Sequence, residues 1–334
     1  MVRPTEDAVV RLEAGPEAQD DCAVFSFDGR QDLVVGSDYV RGPKFRLYEY
    51  GLLDEFDLGY YLIAANVSDV AAMGAHPIGV LTVIRYPASM DDEVFAKVLA
   101  GIRAACDEFN APNVGGDIGG AERLILSATA LGVCGPGRAL TRHGAQPGDV
   151  LCLTGTTGMA GAAMQYYRSK TRSPEIDEKY HDTLLNSWRR PVARVDEGVI
   201  LGQSGLATSC QDTSDGLKAA IESLAVASSV GFDVDESRIV VDPEVKAVCD
   251  LLGLDTMEAI MGDSVDFQLA FTVRPEGLSE LQSSFADADR ILLPIGVATR
   301  NTGTASLKRL DGRISALPGR AWRHAPDPAV RPGG

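Results

Sequence analysis

The spacing of apolar and polar positions divides the chain into short alternating runs and longer helical ones. Asp20-Asp21-Cys-Ala-Val-Phe carries two carboxylates into an apolar strand, and Asp28-Gly29 marks the turn after it. Asp32 to Ser37 reads as a strand that ends in Ser37-Asp38. A helix is expected from near Leu58 to before Pro77, because proline disfavours helical geometry in the residue ahead of it. Within that helix Ala71, Ala72, Gly74 and Ala75 leave almost no bulk, so another element can approach the backbone closely. Asp69 sits among them as a single carboxylate with poor helix propensity. A strand follows at Val80–Tyr86, then an amphipathic helix from Met90-Asp-Asp-Glu to about Phe109. The glycine run Gly115–Gly120 reads as a turn before the long strand Leu124–Cys134.

Pro136-Gly137 marks a domain exit, with Arg138–Gly148 as a linking hairpin or loop. The second half opens with a strand at Asp149–Thr154, and Gly155-Thr-Thr-Gly158 leads into a helix through Tyr167. Arg168–Lys179 is polar and reads as a mobile segment. A strand at Ala207–Gln211 enters Asp212-Thr-Ser-Asp215-Gly216 and then a helix at Leu217–Ser229. Phe267–Val273, Ile291–Ala298 and Thr304–Leu310 read as strands and Pro275–Phe285 as a helix; the tail from Pro318 is expected to fray. Strands and helices mix without regular βαβ alternation, so the expected class is α+β, not a doubly wound sheet. The expected units are residues 1–137, 138–320 and a tail, 321–334.

Composition narrows the function classes. A length of 334 residues, 45% hydrophobic and 23% charged, suits two globular domains. The formal charge of −16 opposes nucleic acid and anionic membranes, and no basic run offers an exception. No apolar run is long enough for a membrane span, and Met1–Asp7 lacks the apolar core of a secretory signal. Six scattered cysteines without a Cys-x-x-Cys pair fit reduced thiols and a cytoplasmic location.

Among candidate chemistries, the phosphate loop, the nucleophile elbow and His-Glu-x-x-His are all missing from the sequence. The four histidines are scattered and read as surface or loop residues. Gly155–Gly158 suits either a phosphate seat at a helix N-terminus or a plain tight turn, and the residues favour neither. Aspartates at strand ends form the stronger pattern: Asp20-Asp21, Asp38, Asp117 and Asp212 with Asp215. Each alone reads as a cap or turn residue. As a set they suit Mg²⁺, a hard cation that takes carboxylate oxygens and bridges to nucleotide phosphates.

Three stretches carry a family resemblance: Asn66 to Pro77, Gly137 to Asp149 running on to Thr156, and Asp212-Thr-Ser-Asp215-Gly-Leu217. In order along the chain, they resemble the thiamine-monophosphate kinase family. Its wider family includes aminoimidazole ribonucleotide synthetase, selenophosphate synthetase and a hydrogenase-maturation dehydratase. The resemblance implies Mg-ATP bound between two α+β domains and a homodimer formed through N-terminal sheets. Carried over by position, it implies metal ligands at Asp21, Asp38, Asp69, Asp117, Asp212 and Asp215. It implies ATP contacts at Ser37, Gly116, Asp117, Arg142 and Ser214. The acceptor end departs from the family pattern. Lys44 stands in place of a histidine, Ile118-Gly119-Gly120 in place of Thr-Thr-Arg, and Val265 in place of a glutamate; Trp322 aligns with a C-terminal aromatic contact. Lys44 reads equally as an acceptor contact or a solvated lysine. The function implied is ATP-dependent phosphoryl transfer to thiamine monophosphate or a related small molecule. Two alternatives are an ATP-dependent ligase, cyclase or dehydratase that activates a carbonyl oxygen, and a nucleotide-binding protein without catalysis.

Overall fold

The computed structural model describes residues 20–27, 29–40, 43–169 and 176–320, and of residues 43–45 the backbone alone. Residues 1–19, Asp28, Arg41, residues 170–175 of the polar segment and the tail with Trp322 lie outside the described residues, as does the Lys44 side chain.

The N-terminal part contains β1 (Ala23–Ser26), β2 (Asp32–Val40), α1 (Pro43–Glu49), α2 (Glu55–Ala72), β3 (His76–Tyr86), α3 (Asp92–Glu108), β4 (Asn113–Gly120) and β5 (Ile125–Cys134). Its sheet runs β1-β2-β5-β3-β4, antiparallel except for the parallel pair β3 and β4 that α3 connects. Helix α2 starts at a reciprocal cap, Asp57 N–H donating to Asp54 Oδ1 at 3.1 Å and Asp54 N–H to Asp57 Oδ2 at 3.0 Å. It ends at Ala72, ahead of Pro77 as expected.

Two local expectations change. Strand β2 continues through Val40, so Asp38 lies inside it opposite Ala128. The Gly115–Gly120 run belongs to the edge strand β4, paired with β3 from Leu81↔Gly115 to Tyr86↔Gly120. Glycine is required there by closeness: a Cβ on Gly116, at φ 143°, would stand 1.7 Å from the Thr82 carbonyl oxygen.

The C-terminal part adds β6 (Val150–Leu153), α4 (Met159–Ser169), α5 (His181–Arg189), α6 (Val195–Ser204), β7 (Ala207–Asp212), α7 (Leu217–Ser228) and β8 (Gly231–Asp235). It continues with α8 (Pro243–Leu252), α9 (Thr256–Met261), β9 (Leu269–Val273), α10 (Leu278–Asp287), β10 (Leu293–Thr299), β11 (Ala305–Lys308) and β12 (Ile314–Ala316). These strands form one sheet in the order β12-β11-β8-β10-β6-β9-β7. Two mixed sheets with helices packed on them make the fold α+β. No described helix is long and apolar enough to cross a membrane.

Helix α2 joins the two parts. It packs on α3, β2 and β5 in its own half and touches α5, α6 and β7 in the other, so nearly every residue from Leu58 to Ala72 is buried. Its small-residue end meets α6 backbone to backbone. A Cβ on Gly198 would lie 2.2 Å from the Ala71 carbonyl oxygen, and one on Gly202 would lie 2.3 Å from that of Gly74. Among the described residues nothing covers the other face of the N-terminal sheet, which carries exposed Ile78, Leu81, Val83 and Ile125.

Candidate functional site

Three chain segments meet beside the C-terminal turns of α2: the entry to β1, α2 itself, and the loop from β7 to α7. Carboxylate oxygens of Asp21, Asp69 and Asp212 lie within 4.8 Å of one another. The Asp212 loop is held from below, because Thr213 N–H donates to the Gln268 carbonyl at 2.8 Å and Gln268 N–H to Thr213 Oγ1 at 3.0 Å. Ser214 donates to Asp212 Oδ1 from its hydroxyl at 2.7 Å and its N–H at 3.2 Å. The Ser68 hydroxyl donates to Asp212 Oδ2 at 2.6 Å. Arg142 approaches from the linker: its guanidinium donates to Asp21 Oδ1 at 2.6 Å and its backbone N–H to Asp20 Oδ1 at 2.7 Å.

Electrostatically this arrangement is unfinished. Three carboxylates face one guanidinium, and two like charges at such separations repel by about 3–4 kcal/mol at an effective dielectric constant of about 20. Burial, then the charges of Asp212, Asp21 and Asp38, hold the Asp69 carboxyl well above the usual range. Asp21 is pushed up to about 7, chiefly by burial, although Arg142 opposes the rise. Asp21 Oδ2 is buried with no hydrogen-bond partner. Converging hard oxygen donors, one of them an orphaned buried oxygen, fit a divalent cation such as Mg²⁺.

Asp38 borders this group. Its N–H donates to Asn66 Oδ1 at 2.9 Å, and its charge acts on Asp69. Asp215 faces the next loop, where its charge and, first, burial push Asp263 up to about 6. Asp263, two residues before Val265, is exposed on the rim of this loop although neighbouring protein partly desolvates its carboxyl. Val265 is half-buried against the core.

Asp117, Gly116 and Ser37 are not brought to this group. The exposed Asp117 carboxylate pairs with Arg85 at 2.6 Å, which holds it below the usual range. Ser37 donates to the Ala128 carbonyl at 2.8 Å. Cross-strand pairing sets Ser37 with Thr129 and Leu81, and Asp117 with Val83, all on the uncovered sheet face. Strand β4 is three positions from β2, about 14 Å at about 4.8 Å per strand.

The open question at Gly155–Gly158 is answered by a side chain distant in sequence. Asp266 accepts from Gly158 N–H at 2.6 Å and Ala160 N–H at 3.0 Å, and the Ser264 hydroxyl accepts from Gly161 N–H at 2.8 Å. The start of α4 thus holds the chain's own carboxylate, which leaves the tight-turn reading. Asn66 and Ser68 are the residues that sequence reasoning missed. Their signal was two polar side chains near Asp69 in an otherwise apolar helix, both now fully buried.

Comparison with known proteins gives this geometry a context. Residues 19–134 match the N-terminal domain of AIR synthase related proteins and residues 146–305 their C-terminal domain, so the class is that of the AIR synthase related proteins. A thiamine-monophosphate kinase of Pyrococcus horikoshii is 30% identical over 327 residues, 97% of each chain. That of Pyrococcus abyssi is 31% identical over 236 residues, 70% of this chain and 71% of the other. The chain belongs to the thiamine-monophosphate kinase family. Among solved structures, "AaThiL complexed with AMPPCP and TMP" has the same fold, with a TM-score of 0.83 and 24% identity over 97% of this chain and 99% of that one. The thiamine-monophosphate kinase of Stenotrophomonas maltophilia gives a TM-score of 0.75 and 27% identity over 92% and 95%.

Proposed function

We propose that this chain transfers the terminal phosphoryl group of ATP to the phosphate of thiamine monophosphate, giving thiamine diphosphate and ADP. The observation that carries the reading is the convergence of Asp21, Asp69 and Asp212, in a chain of this family, around a buried oxygen that lacks a partner. Asp21, Asp69 and Asp212 would hold Mg²⁺, with Asp38 and Asp215 at the margins of the group. When bound, the metal neutralises and orients phosphate oxygens. Arg142 is a cation facing the same space, with its Nε–H buried and unpartnered, and Ser214 lies in the loop from β7 to α7. Phosphoryl transfer asks little more of side chains than such positioning and charge neutralisation.

For the acceptor we assign the rim formed by the 262–266 loop. The backbone of Arg320, the last described residue before Trp322, lies against Gly262, three residues before Val265. Lys44, on α1, is the third residue we assign to this end. We further infer a homodimer through the uncovered sheet face, where Ile78, Leu81 and Val83 are exposed apolar residues. Asp117, Gly116 and Ser37 then serve the nucleotide site of the opposite protomer. Six free cysteines support a cytoplasmic location.

Incubation with Mg-ATP and thiamine monophosphate, followed by phosphorus NMR, tests the reaction. Thiamine diphosphate and ADP should appear together, and D212N should abolish both. ADP and free phosphate beside unchanged thiamine monophosphate would overturn the assignment of this acceptor, and carbonyl activation would show as ADP, free phosphate and a dephosphorylated product from another substrate. ATP binding with no turnover on any acceptor would favour a non-catalytic protein.

A further inference from the structure

Ser68 is fully buried in the C-terminal turns of α2, where a serine hydroxyl ordinarily bonds back to a carbonyl one turn earlier. Here the hydroxyl is spent on Asp212 Oδ2 at 2.6 Å, 144 residues away and in the other half of the molecule. Asp212 is thereby gripped from two sides. Ser214, in its own loop, donates to Oδ1, and Ser68, on α2, donates to Oδ2. Without the second grip, the nearest freedom left to this carboxylate is rotation about its terminal torsion, and repulsion from Asp21 and Asp69 favours turning it outward.

We propose that Ser68 is a positioning residue of the metal site, holding the Asp212 carboxylate towards Asp21 and Asp69 across the junction of the two halves. It contributes no ligand of its own and acts through Asp212. After accepting from Ser68, Asp212 Oδ2 retains a lone pair for a cation, whereas Oδ1 accepts twice from Ser214. Ser68 therefore ties the affinity of the site to the seating of the β7–α7 loop on α2. Neighbouring Asn66 braces the other flank in the same manner: it accepts from Asp38 N–H at 2.9 Å and donates to the Leu62 carbonyl at 2.8 Å.

The inference rests on the metal reading above, so the test uses Mn²⁺ alone, titrated into the nucleotide-free chain and followed by electron paramagnetic resonance. S68A should weaken Mn²⁺ binding by about tenfold or more, as removing a partner of a metal ligand generally does. S68C, with a weaker donor of similar size, should fall between S68A and the parent. Melting in EDTA identifies the temperature at which all three are folded, so that the titrations compare folded proteins. In turnover assays the apparent KM for Mg²⁺ should rise with the Mn²⁺ Kd, while kcat at saturating metal stays within a few-fold. Equal Mn²⁺ affinity in the folded S68A, S68C and parent proteins would overturn the role of Ser68 alone. A parent chain that binds no Mn²⁺ would overturn the metal site itself, and this inference with it.

Discussion

The strongest consequence of the aspartate group is a pH dependence that magnesium should reverse. In the native metal-free chain the Asp21 carboxyl, its side chain only 4% exposed, is raised from 3.8 to about 7, chiefly by burial. In the unfolded chain it titrates near 3.8. Between these values the native state holds the proton and the unfolded state has lost it, so stability falls as pH rises through this window. A shift of about three units corresponds to about 4 kcal/mol at about 1.4 kcal/mol per unit. The contribution is fully present below about pH 4 and gone above about pH 7. D21N is the reference, since its amide oxygen keeps the acceptor for Arg142 but does not ionise. Urea unfolding of both proteins in EDTA, from pH 4 to 8, should show the parent losing several kcal/mol relative to D21N. With saturating Mg²⁺ the difference should change sign above pH 7, because the ionised carboxylate is the form that binds metal. Parallel curves in EDTA, or a parent that gains stability over D21N as pH rises without metal, would refute the reasoning.

Two further outcomes follow from the geometry. G198A places a Cβ 2.2 Å from the Ala71 carbonyl oxygen, a backbone atom with nowhere to move. It should cost about 1–3 kcal/mol, and an unchanged melting temperature would show that α6 does not bear on α2 as described. D117N and D212N should each be inactive as pure proteins. If Asp117 serves the opposite protomer, an equal mixture after subunit exchange should recover about a quarter of parental activity; no recovery in demonstrated heterodimers would return Asp117 to its own chain or to no role.

Helix α2 was legible because its stop signal is local: Pro77 restricts the backbone ahead of it. Strand β4 was not, because Gly115, Gly116, Gly119 and Gly120 erase the alternation that marks a strand; its pairing with β3 supplies what the sequence lacks. Helix α6 escaped notice for a related reason. The face it turns to α2 is Gly198 and Gly202, which contribute closeness and not hydrophobic periodicity. The small-residue stretch 71–75 did announce a close approach, without naming the partner. At Gly155–Gly158 the local residues allowed two readings, and the choice fell to Asp266, beyond the reach of any local pattern.

Taken alone, the sequence determined the α+β class, the family, the absence of a long apolar span and the residue types suited to a hard cation. Those properties are carried by side-chain chemistry and by order along the chain. Tertiary structure alone decided which carboxylates share a field. It drew Asp21, Asp69 and Asp212 together, set Asp38 and Asp215 at the margins, and turned Asp117 to the far face of a sheet. Repulsion and desolvation act through space, so a carboxylate becomes a metal ligand only when folding brings others to it and shuts out the water between them.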